Sequence, residues 1–536
     1  MSGFLAVLKG KVSLLILAAI VVSAASLSMY WVFLVPIFES PDEQTHLDYA
    51  LNIYSARRLI NVREPFYAWN VGLPPPGQKP GIIYHVYTSY LVQVSDVKEI
   101  AFNSALRAPA NYGTKLYYQN LDLHAPGEMS GDMAGQPKPW DWPGRNGYLD
   151  VYPFGYYAVT AAWMKLIRLF SGRLSVLFFG ARSFSVLLLI GSLLLVYANT
   201  REMRFTQTDA LLLTAVVGFF PLTSFVSSYV QPDNLCLTLA LLCSYLALLL
   251  RRTRDTRWLL IVLGVALSML YVTKYHTFVA VFLPVLAMLV ADKLAGRQSG
   301  ISWRRVILSL GVPLLIAASA QTWVCWGSNT GGMISNANTL HEGATHALSQ
   351  GPVAFANFLL SGLIGALLNF YLSGSTFHSF WGRFGWMDTP LTIVSNDTNE
   401  IIRSIIGIVN LVVFALAGIR LERTVTRLIL IAKRGRWRRA LSIAFSNPLL
   451  NSYFLFTAGM FLLYMTVRDS FAPQGRNWFP FLLPIFLVGT HYAPKALTQR
   501  RTQVVFSRMI LAGLVLYCAV GSYYSIQSVW GRFYRP

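Results

Sequence analysis

Four carboxylates and one imidazole fall within eleven residues of this chain: Glu39-Ser40-Pro41-Asp42-Glu43-Gln44-Thr45-His46-Leu47-Asp48-Tyr49. A carboxylate with an imidazole near it can take a proton from a hydroxyl as general base. The local pattern predicts how these groups are held. Ser40 suits an N-cap, Pro41 the first helical position and Glu43 the third, which gives the capping box S-x-x-E. Asp42, His46, Tyr49 and Ile53 then recur at i, i+4, i+7 and i+11 and share one face of the helix. Acids in a first turn also complement the helix dipole with no chemistry implied. Against that plain reading stands the scarcity of charge elsewhere, since only 12% of the chain is charged.

The elements that must position these groups are membrane spans. A chain of 536 residues with 54% hydrophobic residues, broken into long apolar runs by short polar loops, reads as a polytopic helical membrane protein. The net charge of +21 does not point to nucleic acid, because the basic residues cluster in short loops between apolar runs. Cys236, Cys243, Cys325 and Cys518 lie in or beside apolar runs and form neither a disulfide framework nor a zinc spacing. Lys9 and Lys11 precede an apolar run too long for a cleaved signal, so a retained first span is expected.

Runs of spanning length fall at 12–37, 176–198, 209–230, 234–250, 257–273, 276–292, 306–326, 400–420, 448–467, 478–494 and 508–526. With a cytoplasmic N-terminus, the inner loops hold Arg201 and Arg204, Arg251 to Arg254, Lys293 to Arg305, the run Arg420 to Arg439, and Lys495 to Arg501. Every one of these placements obeys the positive-inside rule. Two more apolar segments, 153–171 and 353–373, break the parity if counted, and are expected to lie along or dip into the outer face. The expected fold is therefore an all-α membrane domain over 1–536 with about 11–13 transmembrane helices.

The outer face carries the rest of the chemistry. Its first loop, 38–152, holds juxtamembrane helices and 12 of the 23 acids. Its second, 327–399, contains His341, His346, His378 and the stretch Phe380-Trp381-Gly382-Arg383-Phe384-Gly385-Trp386. Loops this long are functional or disordered, and the aromatic content argues for function. At outer span ends sit Asp233 after Pro232, Lys274 with His276, and Arg468 and Arg476. Alone, Asp233 could be an N-cap and the cations interface anchors. Together they suit glycosyl transfer from a lipid-linked phosphate donor. A carboxylate deprotonates the acceptor hydroxyl, Lys and Arg hold the donor phosphate as it leaves, and aromatic faces bind sugar and prenyl chain. Attack opposite the leaving phosphate would invert the anomeric centre.

A long first span followed by Pro41-Asp42-Glu43-x-x-His46 resembles the GT-C superfamily of polyprenyl-phosphate-sugar-dependent glycosyltransferases. In particular it resembles a bacterial multi-spanning family labelled as a domain of unknown function and grouped with GT-C enzymes. Tyr152-Pro153-Phe154-Gly155-Tyr156-Tyr157, Ala181-Arg182-Ser183, Pro232-Asp233, the stretch Ser379 to Trp386 and Gly475-Arg476-Asn477-Trp478-Phe479-Pro480 carry that likeness over most of the chain. The arrangement is also similar to that of lipid A aminoarabinose transferase and protein O-mannosyltransferases. The chain departs from the pattern in its Tyr-Pro-Phe-Gly-Tyr-Tyr and Gly-Arg-Asn-Trp-Phe stretches; the second keeps its arginine. The resemblance implies catalysis by an acid early in the first outer loop, Asp42 or Glu43, with a second acid at Asp233.

Asp42 is the expected base, Glu43 the fallback, His46 an orienting group, and Asp233 an acceptor-binding or positioning acid. Lys274 and Arg476, with His276 and Arg383, are expected to hold phosphate; Trp381 and Tyr156 are expected on substrate. No cofactor is expected: some members of the resembled superfamily need a divalent ion and others do not, and Asp42 with Glu43 alone is too few ligands to argue for one. The expected partners are a polyprenyl-phosphate sugar donor, a glycan or lipid acceptor and membrane lipids. The expected location is a bacterial inner membrane, with a cytoplasmic N-terminus and a periplasmic site. Two other readings stand beside this one. A transporter or lipid-sugar flippase would show inverted repeats and mid-membrane charge. An O-antigen polymerase or ligase would share the architecture and differ in donor.

Overall fold

The structure is a computed structural model of the chain. It describes residues 2–35, 40–41, 43–59, 152–171, 173–253, 257–294, 302–326, 343–371, 379–384, 389–390, 396–467, 475–492 and 500–533. Asp42, most of the first outer loop, and His341 and His378 of the second therefore lie outside the described residues. What is described is almost wholly helical.

The chain begins with α1 (Ser2–Leu34), α2 (Glu43–Ala56), α3 (Gly155–Arg168) and α4 (Leu174–Glu202). Next come α5 (Gln207–Phe219), α6 (Pro221–Val226), α7 (Asp233–Leu250), α8 (Arg257–Tyr271), α9 (Tyr275–Leu294) and α10 (Trp303–Val324). The second half holds α11 (Pro352–Tyr371), α12 (Asn396–Ile431), α13 (Trp437–Ser446), α14 (Pro448–Val467), α15 (Leu482–Leu487) and α16 (Arg500–Phe533). Strands β1 (Arg383–Phe384) and β2 (Thr389–Pro390) form one short antiparallel pair, with Arg383 opposite Pro390.

The helices follow from the solvent. Hydrocarbon offers backbone N–H and C=O groups no partners, so an apolar run must satisfy them internally. Stretches within α1, α4, α7, α9, α10 and α16 are long and apolar enough to cross a membrane, and α5, α8, α11 and α14 contribute shorter apolar stretches. Each of the eleven expected runs coincides with a helical segment, and the chain is an all-α polytopic membrane protein. Two of the runs are broken, each at proline. The run 209–230 splits between α5 and α6 at Pro221, which stands first in its helix where the missing N–H costs nothing. The run 478–494 begins as a 3₁₀ turn, Gly475–Phe481, containing Pro480, continues as α15 and ends in a π turn, Val488–Tyr492.

Neither 153–171 nor 353–373 carries the chain across. The C-terminal carbonyls of α1 and the ninth residue of α4, Arg182, meet in one hydrogen-bonded group, so α2 and α3 leave and return at the same end. Likewise Gln321 near the end of α10 and Ser379 beyond α11 both bond to residues of that end. We call it the site end. The opposite, far end is laced by Arg251–Asp292, Arg252–Glu202 and Arg508–Asp209.

The most buried span is α7, packed between α4, α8, α9 and the 475–481 turn. Helices α2 and α3 join its core through Leu47, Tyr49, Ala50, Tyr156, Tyr157 and Met164. A second apolar cluster gathers α1, α5, α6, α15 and α16 around Trp31, Phe220, Phe225 and Trp478.

Candidate active site

The capping box read from the sequence does not form. Helix α2 starts at Glu43, and the Ser40 hydroxyl is buried without a partner among the described residues. The reason is a stronger donor: the Glu43 carboxylate lies against Arg182, which donates from Nε at 2.7 Å and from Nη2 at 2.6 Å. The Val230 amide adds a third bond to Oε1 at 3.3 Å. Nη1 of the same arginine donates to the Val32 and Val35 carbonyls at 2.8 and 2.7 Å. These carbonyls close α1, where a helix has no partners of its own and its dipole favours a cation. One planar guanidinium thus ties together the end of α1, the start of α2 and the turn before α7. With both side chains about 2% exposed, the pair is out of water.

The face read from the 3.6-residue period is present. His46, Tyr49 and Ile53 are all buried, and the first two meet α3. His46 Nδ1 lies 2.8 Å from the Tyr157 hydroxyl, and Tyr49 stacks on the Tyr157 ring with centroids 4.1 Å apart. Tyr152 meets the His46 ring edge-on at 5.0 Å. The imidazole is therefore fixed by aromatic neighbours one turn after position 42.

Helix α3 is placed by a glycine. The Gly155 amide donates to the Val272 carbonyl at 2.6 Å, and a Cβ there would lie 2.7 Å from that oxygen. Only a residue without a side chain allows that approach. Tyr156, next in sequence, has no exposed surface and accepts from the Gln231 amide at 2.9 Å. Burial pushes its phenol up to about 12, so it stays a neutral acceptor at ordinary pH.

Asp233 opens α7 immediately after that turn. Its Oδ1 receives Lys274 Nζ at 2.5 Å, and Nζ donates also to Asn477 Oδ1 at 2.9 Å. Beside Asn477, Arg476 is 8% exposed and donates from Nη1 to the Pro41 carbonyl at 3.0 Å. A continuous polar chain therefore runs from Pro41 through Arg476 and Asn477 to Lys274 and Asp233. It joins positions 41, 233, 274 and 476, which the sequence put on one face. A second glycine makes this possible. Gly475 donates to Ser379 Oγ at 2.6 Å, and a Cβ there would fall 2.1 Å from the Phe380 amide nitrogen.

Other expected residues fall elsewhere. The ring of Trp381 packs among Phe220, Phe380 and Tyr517 at 5.3–5.6 Å, inside the second apolar cluster rather than on the polar chain. His276 is only partly buried, but its Nε2 is shielded and without a hydrogen-bond partner among the described residues. Arg383 lies in β1, and nothing beyond its backbone register is described. Among the described residues, no three His, Cys, Asp or Glu side chains converge as a metal site requires. Both described acids of the site, Glu43 and Asp233, are engaged by cations.

Three participants were not singled out as site residues in the sequence, Arg182, Asn477 and Gln231. Arg182 was visible as a lone arginine inside an apolar run, a signal that by itself asks for a buried partner. Asn477 and Gln231 gave no signal, since a neutral amide beside a charged motif has nothing to distinguish it.

Fold and site together define a polytopic helical membrane protein with a desolvated ionic assembly at one end. The chain belongs to the family described as predicted membrane protein (DUF2142), whose profile matches residues 26–488. No curated protein matches it. Among solved structures it is similar to the archaeal oligosaccharyltransferase AglB from Archaeoglobus fulgidus, determined with an inhibitory peptide and a dolichol-phosphate. That likeness has 11% identity and a TM-score of 0.37, and it covers 97% of this chain and 56% of that one. The chain thus spans little more than half the length of that protein.

Proposed function

We propose that the protein is a GT-C-type membrane glycosyltransferase that moves a sugar from a polyprenyl-phosphate donor to an envelope glycan or lipid acceptor on the periplasmic face. The observation that carries this reading is the polar chain from Pro41 to Asp233. It holds the residue before Asp42 against Arg476, one residue from the amide that meets Lys274. Two cations suited to phosphate and one acid, Arg476, Lys274 and Asp233, then lie within one assembly with Pro41, the residue before Asp42.

The reaction asks little more. Asp42 takes the proton from the acceptor hydroxyl, and the freed oxygen attacks the anomeric carbon. The bond from that carbon to the phosphate oxygen breaks, and polyprenyl phosphate leaves with the electron pair. Lys274 and Arg476 receive the charge that builds on it. With Asp42 opposite the leaving group the centre inverts. Glu43 acts as an anchor in this reading, because Arg182 takes both its oxygens. Asp233 holds Lys274 until the phosphate arrives, and His46 fixes the first turn of α2, which follows Asp42 in the chain. The aromatic rings of the 379–386 stretch serve the prenyl chain or the fold around it.

The charged and imidazole side chains of α7 and α9, Asp233, His276, Asp292 and Lys293, all lie in the first or last turn of their helix. That favours transfer at a surface over passage through the bilayer. The test is sugar transfer by the purified protein from polyprenyl-phosphate-linked donors. Asp42→Asn should lose about 10²–10⁴-fold in turnover, the contribution typical of a general base. Turnover within a few-fold of wild type would remove Asp42 from the role. Sugar crossing sealed vesicles without a new glycosidic bond would establish the transporter instead.

A further inference from the structure

The far end holds a cavity of about 290 Å³ that the transfer reading does not use. It lies where α12 and the start of α14 meet the loop after α4 and the π turn. Its polar wall is Arg420, Thr424, Asn447, Tyr453 and His491; Phe205 and Leu421 supply apolar wall. Among the described residues, no carboxylate lines it. The imidazole of His491 is held against the Phe205 ring, with centroids 4.6 Å apart, which fixes one edge of the opening.

The two arms of one hairpin frame this space. Helix α12 contributes Arg420 and Leu421, and the residue just after α13 is Asn447. Between the arms the chain reverses at Gly435, whose φ of 73° is left-handed and suits glycine. The reversal carries Lys433, Arg434, Arg436, Arg438 and Arg439, none of them buried. The combination is an exposed cation at the rim of a half-apolar cavity, hydrogen-bonding groups beside it, and no carboxylate among the described lining residues. Such chemistry selects a phosphate joined to something apolar or small. The volume is near the lower limit for small-molecule sites, enough for a glycerophosphate headgroup but not for its acyl chains.

We propose that this cavity binds a phosphate ester, supplied by the headgroup of an anionic membrane lipid, at the end of the bundle opposite the sugar-transfer site. The proposal does not depend on what the site end does. Arg420 forms the ion pair, and Asn447, Tyr453 and His491 bond the remaining oxygens. The acyl chains leave along the apolar side toward the bilayer.

The full-length protein in neutral detergent tests this by its thermal unfolding midpoint. Phosphatidylglycerol should raise the midpoint by several degrees relative to phosphatidylcholine. Arg420→Gln should remove most of that rise. Arg427→Gln, two turns further along α12 and outside the cavity wall, should keep it. His491→Gln, which retains a donor and the fold, should lose about half. Glycerol 3-phosphate and inorganic phosphate form the second arm. If they raise the midpoint alone and phosphatidylglycerol does not, the cavity takes a soluble phosphate and the class of ligand stands. If no phosphate compound shifts the midpoint, or if Arg420→Gln and Arg427→Gln lose the lipid effect equally, the site does not exist and only diffuse attraction remains.

Discussion

Among the described residues, each end of the bundle contains an arginine fork on a carboxylate, and the two forks are almost identical in length. At the site end Arg182 grips Glu43 at 2.6 and 2.7 Å; at the far end Arg251 grips Asp292 at 2.7 Å from both Nε and Nη2. Their surroundings differ. The Arg182 side chain is 2% exposed and spends its remaining N–H groups on the carbonyls that close α1, whereas Arg251 is 15% exposed. The far fork joins the last turns of α7 and α9. The site-end fork joins a helix end, a helix start and a turn, all at the edge of the proposed centre. Beside it, Lys274 makes single bonds to Asp233 and Asn477 instead of a fork. A fork fixes geometry, while a compact ammonium can trade one oxygen partner for another. The two arginine forks serve architecture, and the lysine sits where a phosphate would have to be exchanged.

The comparison breaks most visibly at Arg182. Arg182→Met leaves Glu43 buried without its cation, and such a loss costs about 3–5 kcal/mol. Chemical denaturation in detergent micelles should register it as the largest single effect in the protein. Adding Glu43→Leu should recover part of the loss, because an apolar pair of similar volume is tolerated where a lone charge is not. The carbonyls of Val32 and Val35 stay uncapped in the double variant, so recovery should be incomplete. A loss under 1 kcal/mol in the single variant would mean that water reaches this fork.

Asp292→Asn sharpens the contrast from the other side. It strips the charge from an acid 1% exposed, against an arginine that can still turn toward solvent. About half the loss of Arg182→Met is expected, with sugar transfer per folded molecule unchanged. If transfer falls in step with stability, the two ends are coupled, and the division drawn above is wrong. Gly475→Ala comes next. Its methyl would sit 2.1 Å from the Phe380 amide nitrogen, so the 475–481 turn must move. Overpacking of this kind costs about 1–3 kcal/mol. Here it should also lower transfer, because Arg476 and Asn477 move with the turn.

Much of this was legible in the amino-acid order, for unequal reasons. The spans were visible because hydrocarbon leaves a chain few choices, and runs such as 234–250 and 276–292 coincide with α7 and α9 to within a few residues. The far end was visible through its arginines. At α2 the helical face could be read from period alone, and His46, Tyr49 and Ile53 are buried as that period requires. The capping box could not be judged the same way. Whether Glu43 turns back to its own helix or outward depends on Arg182, 139 residues later, and local pattern contains no term for that distance. The neighbours of Trp381 were hidden for a related reason: Phe220 and Tyr517, which pack on its ring, come from distant parts of the chain. The contacts at Gly155 and Gly475 show why both stretches keep a glycine, which a sequence displays without explaining.

The smallest effect belongs to the far-end rim. Arg508 donates to Asp209 from Nε at 3.1 Å, and the pair's side chains are 44% and 18% exposed. Two long side chains ordered in water gain little, and exposed pairs are worth about 0–1 kcal/mol. Asp209→Asn also keeps an acceptor for the Thr206 hydroxyl, which donates to Asp209 at 2.6 Å. Thr206 still caps α5 through the Asp209 amide at 3.2 Å, since that bond needs only backbone. The variant should therefore unfold within about 0.5 kcal/mol of wild type, and added salt should erase even that difference. A larger, salt-insensitive loss would show that the far end is as dry as the site end. The arginine there would then have to be read as architecture too.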